Sequence, residues 1–99
     1  MGDLTGKQRR HLRALGHHLS PVLQIGHEGL TDAVVAHANA QLETHELIKV
    51  KVGESSPLPR HEAAEQLASA TGSSLAQVLG RTFLLYKPHP KEPGILLPK

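Results

Sequence analysis

Leu47-Ile48-Lys49-Val50-Lys51-Val52 alternates in polarity and lies between two stretches with a helical repeat. In a strand, period-two alternation sends Ile48, Val50 and Val52 to one face and Leu47, Lys49 and Lys51 to the other. One face suits a core, and the other is half-wet and positive. A strand flanked by helices places the chain among alternating α and β folds, so its neighbours decide which sheet it joins.

On the N-terminal side, Thr31 is a natural N-cap for a helix over residues 32–44. Val34, Val35, Ala38 and Leu42 line its inner side, and Asp32 stands near the positive dipole end. Before it, Val22-Leu23-Gln24-Ile25 reads as a brief strand that stops at Gly26, and Gly26-His27-Glu28-Gly29 as a turn. Pro21 closes an earlier helix over residues 6–19, opened by Thr5-Gly6-Lys7-Gln8 with the spacing of a capping box. Leu12, Leu15 and Leu19 repeat along that helix, while Arg10, Arg13 and His17 fall on its opposite side.

On the C-terminal side, residues 53–59 are rich in Ser and Pro and predict a loop, and a third helix over 60–71 stops at Gly72. Residues 75–79 and 82–87 predict two strands joined through Gly80-Arg81. From Pro88 onward prolines and a glycine interrupt regular structure, with Ile95-Leu96-Leu97 suited to dock as an extended segment. Residues 1–87 thus form one domain, followed by a Pro-rich C-terminal extension over 88–99. The order α-β-α-β-α-β-β predicts an α/β (α+β) two-layer sandwich with a mixed sheet. Gln24, Lys49, Lys51 and Gln77 all oppose the apolar side of their strands, which predicts helices on one face and an open, polar, cationic face on the other. Ile48, Val50, Val78, Phe83 and Leu85, with Leu12, Leu15, Val34, Leu42 and Leu67, are expected to form one core.

Composition narrows the function. The 99 residues contain no cysteine, which removes disulfides, thiolate metal sites and cysteine nucleophiles. The N-terminus Met1-Gly2-Asp3-Leu4-Thr5 lacks a leader pattern, and no apolar run is long enough to span a bilayer, so a soluble, cytoplasmic protein is expected. Formal net charge is only +2, with a sequence pI near 9.2. Distribution says more than the total, because Lys7, Arg9, Arg10 and Arg13 concentrate positive charge beside His11, His17 and His18. Such a patch is an electrostatic footprint for phosphate. Phe83 and Tyr86 are the sole aromatics, too few for the stacking platform of single-strand readers, so RNA would be held by backbone and shape.

A Gly-x-x-Gly turn between strand and helix, as at Gly26 to Gly29, admits close approach of a ligand to the backbone, and the helix start after it offers free N–H groups to phosphate. Paired glycines in a turn also serve geometry alone. Lys49 and Lys51 equally suit a strand that keeps its outer face soluble, and Arg81 suits a structural or an RNA-facing role. No metal site is expected: His17-His18 diverge on a helix, and His61-Glu62-Ala63-Ala64-Glu65 lacks a third convergent ligand. Ser55, Ser56, Ser73 and Ser74 fall in loops without an elbow or triad order, so no catalytic residue and no cofactor is expected either.

Leu4-Thr5-Gly6-Lys7-Gln8-Arg9-Arg10, Leu19-Ser20-Pro21-Val22, Ile25-Gly26-His27-Glu28-Gly29-Leu30-Thr31, His45-Glu46-Leu47-Ile48-Lys49-Val50-Lys51 and Gly80-Arg81-Thr82-Phe83-Leu84-Leu85-Tyr86-Lys87 together resemble the CRM domain family, named for chloroplast RNA splicing and ribosome maturation. The likeness reaches to Lys87 and is greatest to bacterial single-domain YhbY-type members. It implies a four-stranded mixed sheet similar to that of the C-terminal domain of translation initiation factor three. It also implies binding of structured RNA, ribosomal RNA of the large-subunit precursor in particular, by a non-enzymatic assembly factor. By position, Gly26 to Gly29 match the family's loop and Lys7, Arg9, Arg10 and Arg13 its basic first helix. The loop departs from the family where His27-Glu28 stands in place of a common lysine, and a carboxylate there opposes phosphate. The candidate RNA-binding set is Lys7, Arg9, Arg10, Arg13, His17, Gly26, His27, Glu28, Gly29, Lys49, Lys51 and Arg81 in a monomer. The rival reading is a protein-interaction module that docks ribosomal proteins through the Lys49 face without direct RNA readout.

Overall fold

A computed structural model describes residues 4–98; Met1, Gly2, Asp3 and Lys99, which enter the readings of the N-terminus and of the C-terminal extension, lie outside the described residues. The elements run α1 (Gly6–Gly16), β1 (Leu23–Ile25), α2 (Asp32–His45), β2 (Leu47–Val52), α3 (Arg60–Thr71), β3 (Ser74–Leu79) and β4 (Thr82–Tyr86). This is the expected α+β order. The four strands form one mixed sheet in the order β1-β2-β4-β3, with β1 parallel to β2 and β4 antiparallel to both β2 and β3.

Strand position explains strand composition. β4 is central and buried on both faces from Phe83 onward, so Phe83-Leu84-Leu85-Tyr86 carries large hydrophobic side chains in succession. β3 is an edge strand and slips register between Leu75 and Gln77, so that the β4 partners advance by one residue while β3 advances by two. That bulge puts Ala76 and Gln77 together against one residue of β4.

α2 and α3 pack on the face carrying Ile25, Ile48, Val50, Phe83 and Leu85, and their Ala38, Leu42, Ala63 and Leu67 complete that core. α1 does not join them. It crosses the other face, where Leu12 packs with Leu47, Ala76, Leu84 and Tyr86. The expectation of helices on one face only, and of a single core, is therefore corrected: the sheet separates two apolar clusters. Leu12 belongs to the second cluster, and Leu15 is 40% exposed. The physical reason is Gly16, where an added Cβ would stand 2.4 Å from Cδ1 of Leu84. Only a glycine backbone lets α1 lie so close to the central strand. Gln24, Lys49, Lys51 and Gln77 do oppose the α2–α3 face, but Gln24 and Lys51 are exposed while Lys49 and Gln77 are half-covered.

The C-terminal segment is built into this second cluster, against which Ile95 and Leu97 pack. It is pinned by Glu46, a buried non-glycine residue with φ of 62°. Its carboxylate accepts the backbone N–H groups of His89 at 2.6 Å, Gly94 at 2.6 Å and Ile95 at 3.1 Å. Burial acts to raise the Glu46 pKa, but these N–H donors and the charge of His89 outweigh it and hold the carboxyl below its ordinary value. Burial, with Glu46 nearby, pushes the Tyr86 phenol up. Among the described residues no helix is long and apolar enough to cross a membrane.

Candidate nucleic-acid interface

The basic row begins with a well-made helix start. Thr5 Oγ1 accepts the Gln8 N–H at 3.1 Å, and Gln8 Oε1 accepts the Thr5 N–H at 3.0 Å, the reciprocal capping box expected from the spacing. With Leu12 and Gly16 seated on the sheet, the helical repeat turns Lys7, Arg10, Arg13 and His17 outward on one stripe, and all four are exposed. The first turn of α1 contains no acidic residue and places Lys7 near the positive end of the helix dipole, whereas Arg13 lies in the last turn, where a cation is favoured. The placement of Lys7 is unfavourable by roughly 0.3–1 kcal/mol at an exposed site. Among the described residues Lys7, Arg10 and Arg13 have no ion-pair partner.

Arg9 is different. Its guanidinium donates to the backbone carbonyl of Leu75, at the β3 bulge, and the side chain is half-buried. Arg9 ties α1 to the sheet edge, a role that spacing could not separate from that of Arg10.

Lys49 and Lys51 lie on the α1 side of β2. Lys49 pairs in register with Leu84, the residue on which Gly16 rests, and Lys51 pairs with Thr82 two residues further along β2. The two lysines therefore continue the positive face from the helix onto the open part of the sheet. Arg81, in the turn between β3 and β4, reaches Glu54 at 3.5 Å in an exposed ion pair.

The Gly26 to Gly29 loop sits at the end of β1 and lines a shallow cleft of about 290 Å³ with Thr31 and Val34. Its two glycines answer different demands. Gly29 is buried with φ of 72°, and an added Cβ would lie 3.2 Å from Cγ of Pro57, so the fold itself requires glycine there. A Cβ at Gly26 would meet nothing within 4 Å, and its φ is not in the left-handed region. His27 and Glu28 are exposed, Thr31 Oγ1 already accepts the Val34 N–H at 3.2 Å, and Asp32 occupies the first turn of α2. Cap and carboxylates both reduce what this helix start offers an anion. The structure thus gathers Lys7, Arg10, Arg13, His17, Lys49 and Lys51 on one face, with the loop and Arg81 at its end. Among the described residues no three His, Cys, Asp or Glu side chains group as metal ligands.

The CRS1 / YhbY (CRM) domain model matches residues 4–87, from the start of the capping box to the end of β4. The chain belongs to the CRS1/YhbY (CRM) domain family. Within the family it is 40% identical to the protein named "Probable RNA-binding protein YqeI" of Bacillus subtilis, over 96% of this chain and 99% of the relative. It is 36% identical to a Haemophilus influenzae protein named "RNA-binding protein", over 100% and 99% of the two chains. The solution structure of a hypothetical protein from Staphylococcus aureus superposes with a TM-score of 0.81 at 40% identity, covering 96% of this chain and 99% of that one. The CRM-domain match ends before the Glu46-bound segment, whereas these relatives extend across it.

Proposed function

We propose that this CRM-domain protein binds structured RNA through the outer face of α1 and the Lys49–Lys51 surface, and that its target is ribosomal RNA of the large-subunit precursor. The observation that carries this reading is the unpaired stripe of Lys7, Arg10 and Arg13, held rigidly outward by the packing of Gly16 on Leu84. Lys7 stands at the unfavourable end of the helix dipole, and none of the three cations has a carboxylate partner among the described residues, so phosphate supplies the counter-charge they lack. The names of the relatives support RNA as the partner.

Both aromatic side chains are buried, Phe83 at 1% and Tyr86 at 3% exposure, so contact is through phosphates and groove shape. The protein acts by binding, as a cytoplasmic assembly factor, and not by turnover. The rival, docking on ribosomal proteins through the Lys49 face, is separated by salt and nuclease. Phosphate-driven binding to a large-subunit rRNA fragment falls linearly in log affinity against log salt. Association with precursor particles that survives ribonuclease and high salt would instead favour the protein partner. Crosslinking in growing cells, followed by sequencing of the attached RNA, tests the ribosomal target directly. Fragments scattered over unrelated RNAs would sink it.

A further inference from the structure

Beside the basic stripe lies an apolar pocket that the phosphate contacts leave unused. It measures about 490 Å³ and is lined by Leu15, Leu19, Val22 and Ile95 together with Lys49 and His45. That volume falls in the range of roughly 300–1,000 Å³ typical of small-ligand sites. Leu15 and Leu19 are 40% and 37% exposed, which places two large apolar side chains next to each other at the end of α1, where burial would be favourable. No carboxylate lines the pocket. Its geometry is set by the fold: the Val22 N–H donates to the Lys49 carbonyl at 3.0 Å, and the N–H of Ile95 is held by Glu46.

We propose that this pocket receives an unpaired nucleobase, splayed from an RNA whose backbone lies along α1. The inference rests on the RNA reading above and names the feature that would distinguish one RNA from another. A nucleotide joins a flat, largely apolar base face to an anionic phosphate, and the pocket joins aliphatic side chains to a lysine, Lys49, in one lining. Phe83 and Tyr86 are both buried and offer no stacking platform. The aliphatic recess on the positive face, with the exposed His45 among its lining residues, is a surface that suits a base. A fully paired A-form stem cannot supply one, because its bases stay stacked and its major groove is too narrow for side chains. The ligand is therefore a stem with a bulged or looped-out nucleotide.

The test compares two RNA hairpins of equal length and charge, one with a fully paired stem and one carrying a single bulged 2-aminopurine, bound by the full chain at one fixed salt concentration. The bulged hairpin should bind about fivefold tighter or more, the gain expected from burying roughly 40 Å² of apolar surface. The 2-aminopurine fluorescence should also change on binding. Leu15→Gln combined with Leu19→Gln should erase that preference while leaving paired-stem affinity and its salt slope unchanged. Leu19→Gln alone, outside α1, serves as a milder variant if the double one unfolds. Equal affinity for the two hairpins with unchanged fluorescence overturns the pocket, as does a preference that survives the substitutions. So does a dimer, seen by sedimentation, that the substitutions abolish while hairpin preference stays intact, since the pocket then belongs to a second copy. Failure to bind either hairpin overturns the RNA reading itself, whereas binding both equally overturns the pocket alone.

Discussion

Gly16 of α1 rests directly on Leu84 of β4: a Cβ at position 16 would stand 2.4 Å and 2.7 Å from the two methyl carbons and 3.1 Å from Cγ. Leu84 is 2% exposed in a central strand, so it has little room to swing aside. Gly16→Ala should therefore destabilise the protein by about 1–3 kcal/mol through overpacking, despite alanine's better helix propensity. Urea unfolding checks this. A gain in stability would show that α1 is not seated on the sheet by its backbone, and the outward aim of the basic stripe would lose its cause.

Leu67 of α3 is fully buried in the opposite cluster with Phe83, Leu85 and Val50. Leu67→Ala should cost roughly 2–5 kcal/mol, the range for a leucine truncated in a packed core. A loss below about half a kcal/mol in the same urea experiment would make α3 peripheral, contrary to its packing.

Much of this fold was legible because its signals are local. The capping box at Thr5, the alternation of Leu47 to Val52 and the stop at Gly72 each act within a few residues, and the structure places α1, β2 and α3 where they say. The first helix ends at Gly16 and not at residue 19, because the chain unwinds through the Leu15–His18 and Gly16–Leu19 turns before Pro21. What escaped the sequence is long-range. The face chosen by α1 depends on Leu84, the role of Arg9 on the Leu75 carbonyl, and the burial of Glu46 on N–H groups more than forty residues away. The exposed Leu15 and Leu19 read as core by periodicity alone, since a helical repeat marks an apolar stripe without saying what covers each part of it.

Glu46 supplies a pH dependence whose sign follows from its environment. Its folded-state pKa is depressed, so its contribution is fully present above the unfolded carboxyl value and is lost as pH falls through the lower folded value. Acidification below about pH 4 should thus loosen the 89–95 segment before the sheet core melts. Hydrogen exchange at the Gly94 and Ile95 amides should rise in that window. Glu46→Gln should flatten the dependence and cost about 1–3 kcal/mol, because its amide nitrogen opposes one of the three N–H donors. Amides that stay protected to the same pH in the variant and the wild type would refute the clamp.

The loop glycines separate binding from folding. Gly29→Ala should lose at least about 1 kcal/mol of stability, since a left-handed backbone and the nearby Pro57 ring both oppose a side chain. Gly26→Ala should fold normally, having open space and no left-handed φ. Any drop in RNA affinity in Gly26→Ala then reports on the loop's approach to RNA. Unchanged affinity there would mark the loop as a turn and confine the interface to α1 and β2. Glu28→Lys should strengthen binding if phosphate passes near the loop, because it removes an exposed carboxylate.

The three arginines of α1 give the sharpest division of labour, because they share one helix and one charge but not one environment. Arg10 and Arg13 are exposed and unpaired among the described residues, whereas Arg9 commits its guanidinium to the Leu75 carbonyl. Each phosphate left without its cation flattens the slope of log affinity against log salt by about 0.7–0.9, so Arg10→Ala with Arg13→Ala should flatten it by roughly 1.4–1.8 while leaving the unfolding midpoint nearly unchanged. Arg9→Ala should do the reverse, lowering stability by about 1 kcal/mol or more as the charge-assisted bond disappears, with a smaller change in salt slope. Arg9→Lys should not restore it fully, since an ammonium on a shorter reach cannot reproduce the guanidinium geometry. A salt slope that moves as much for Arg9→Ala as for the Arg10 and Arg13 pair would place all three on phosphate. The Leu75 bond would then be one that RNA displaces, and the interface would extend to the β3 edge.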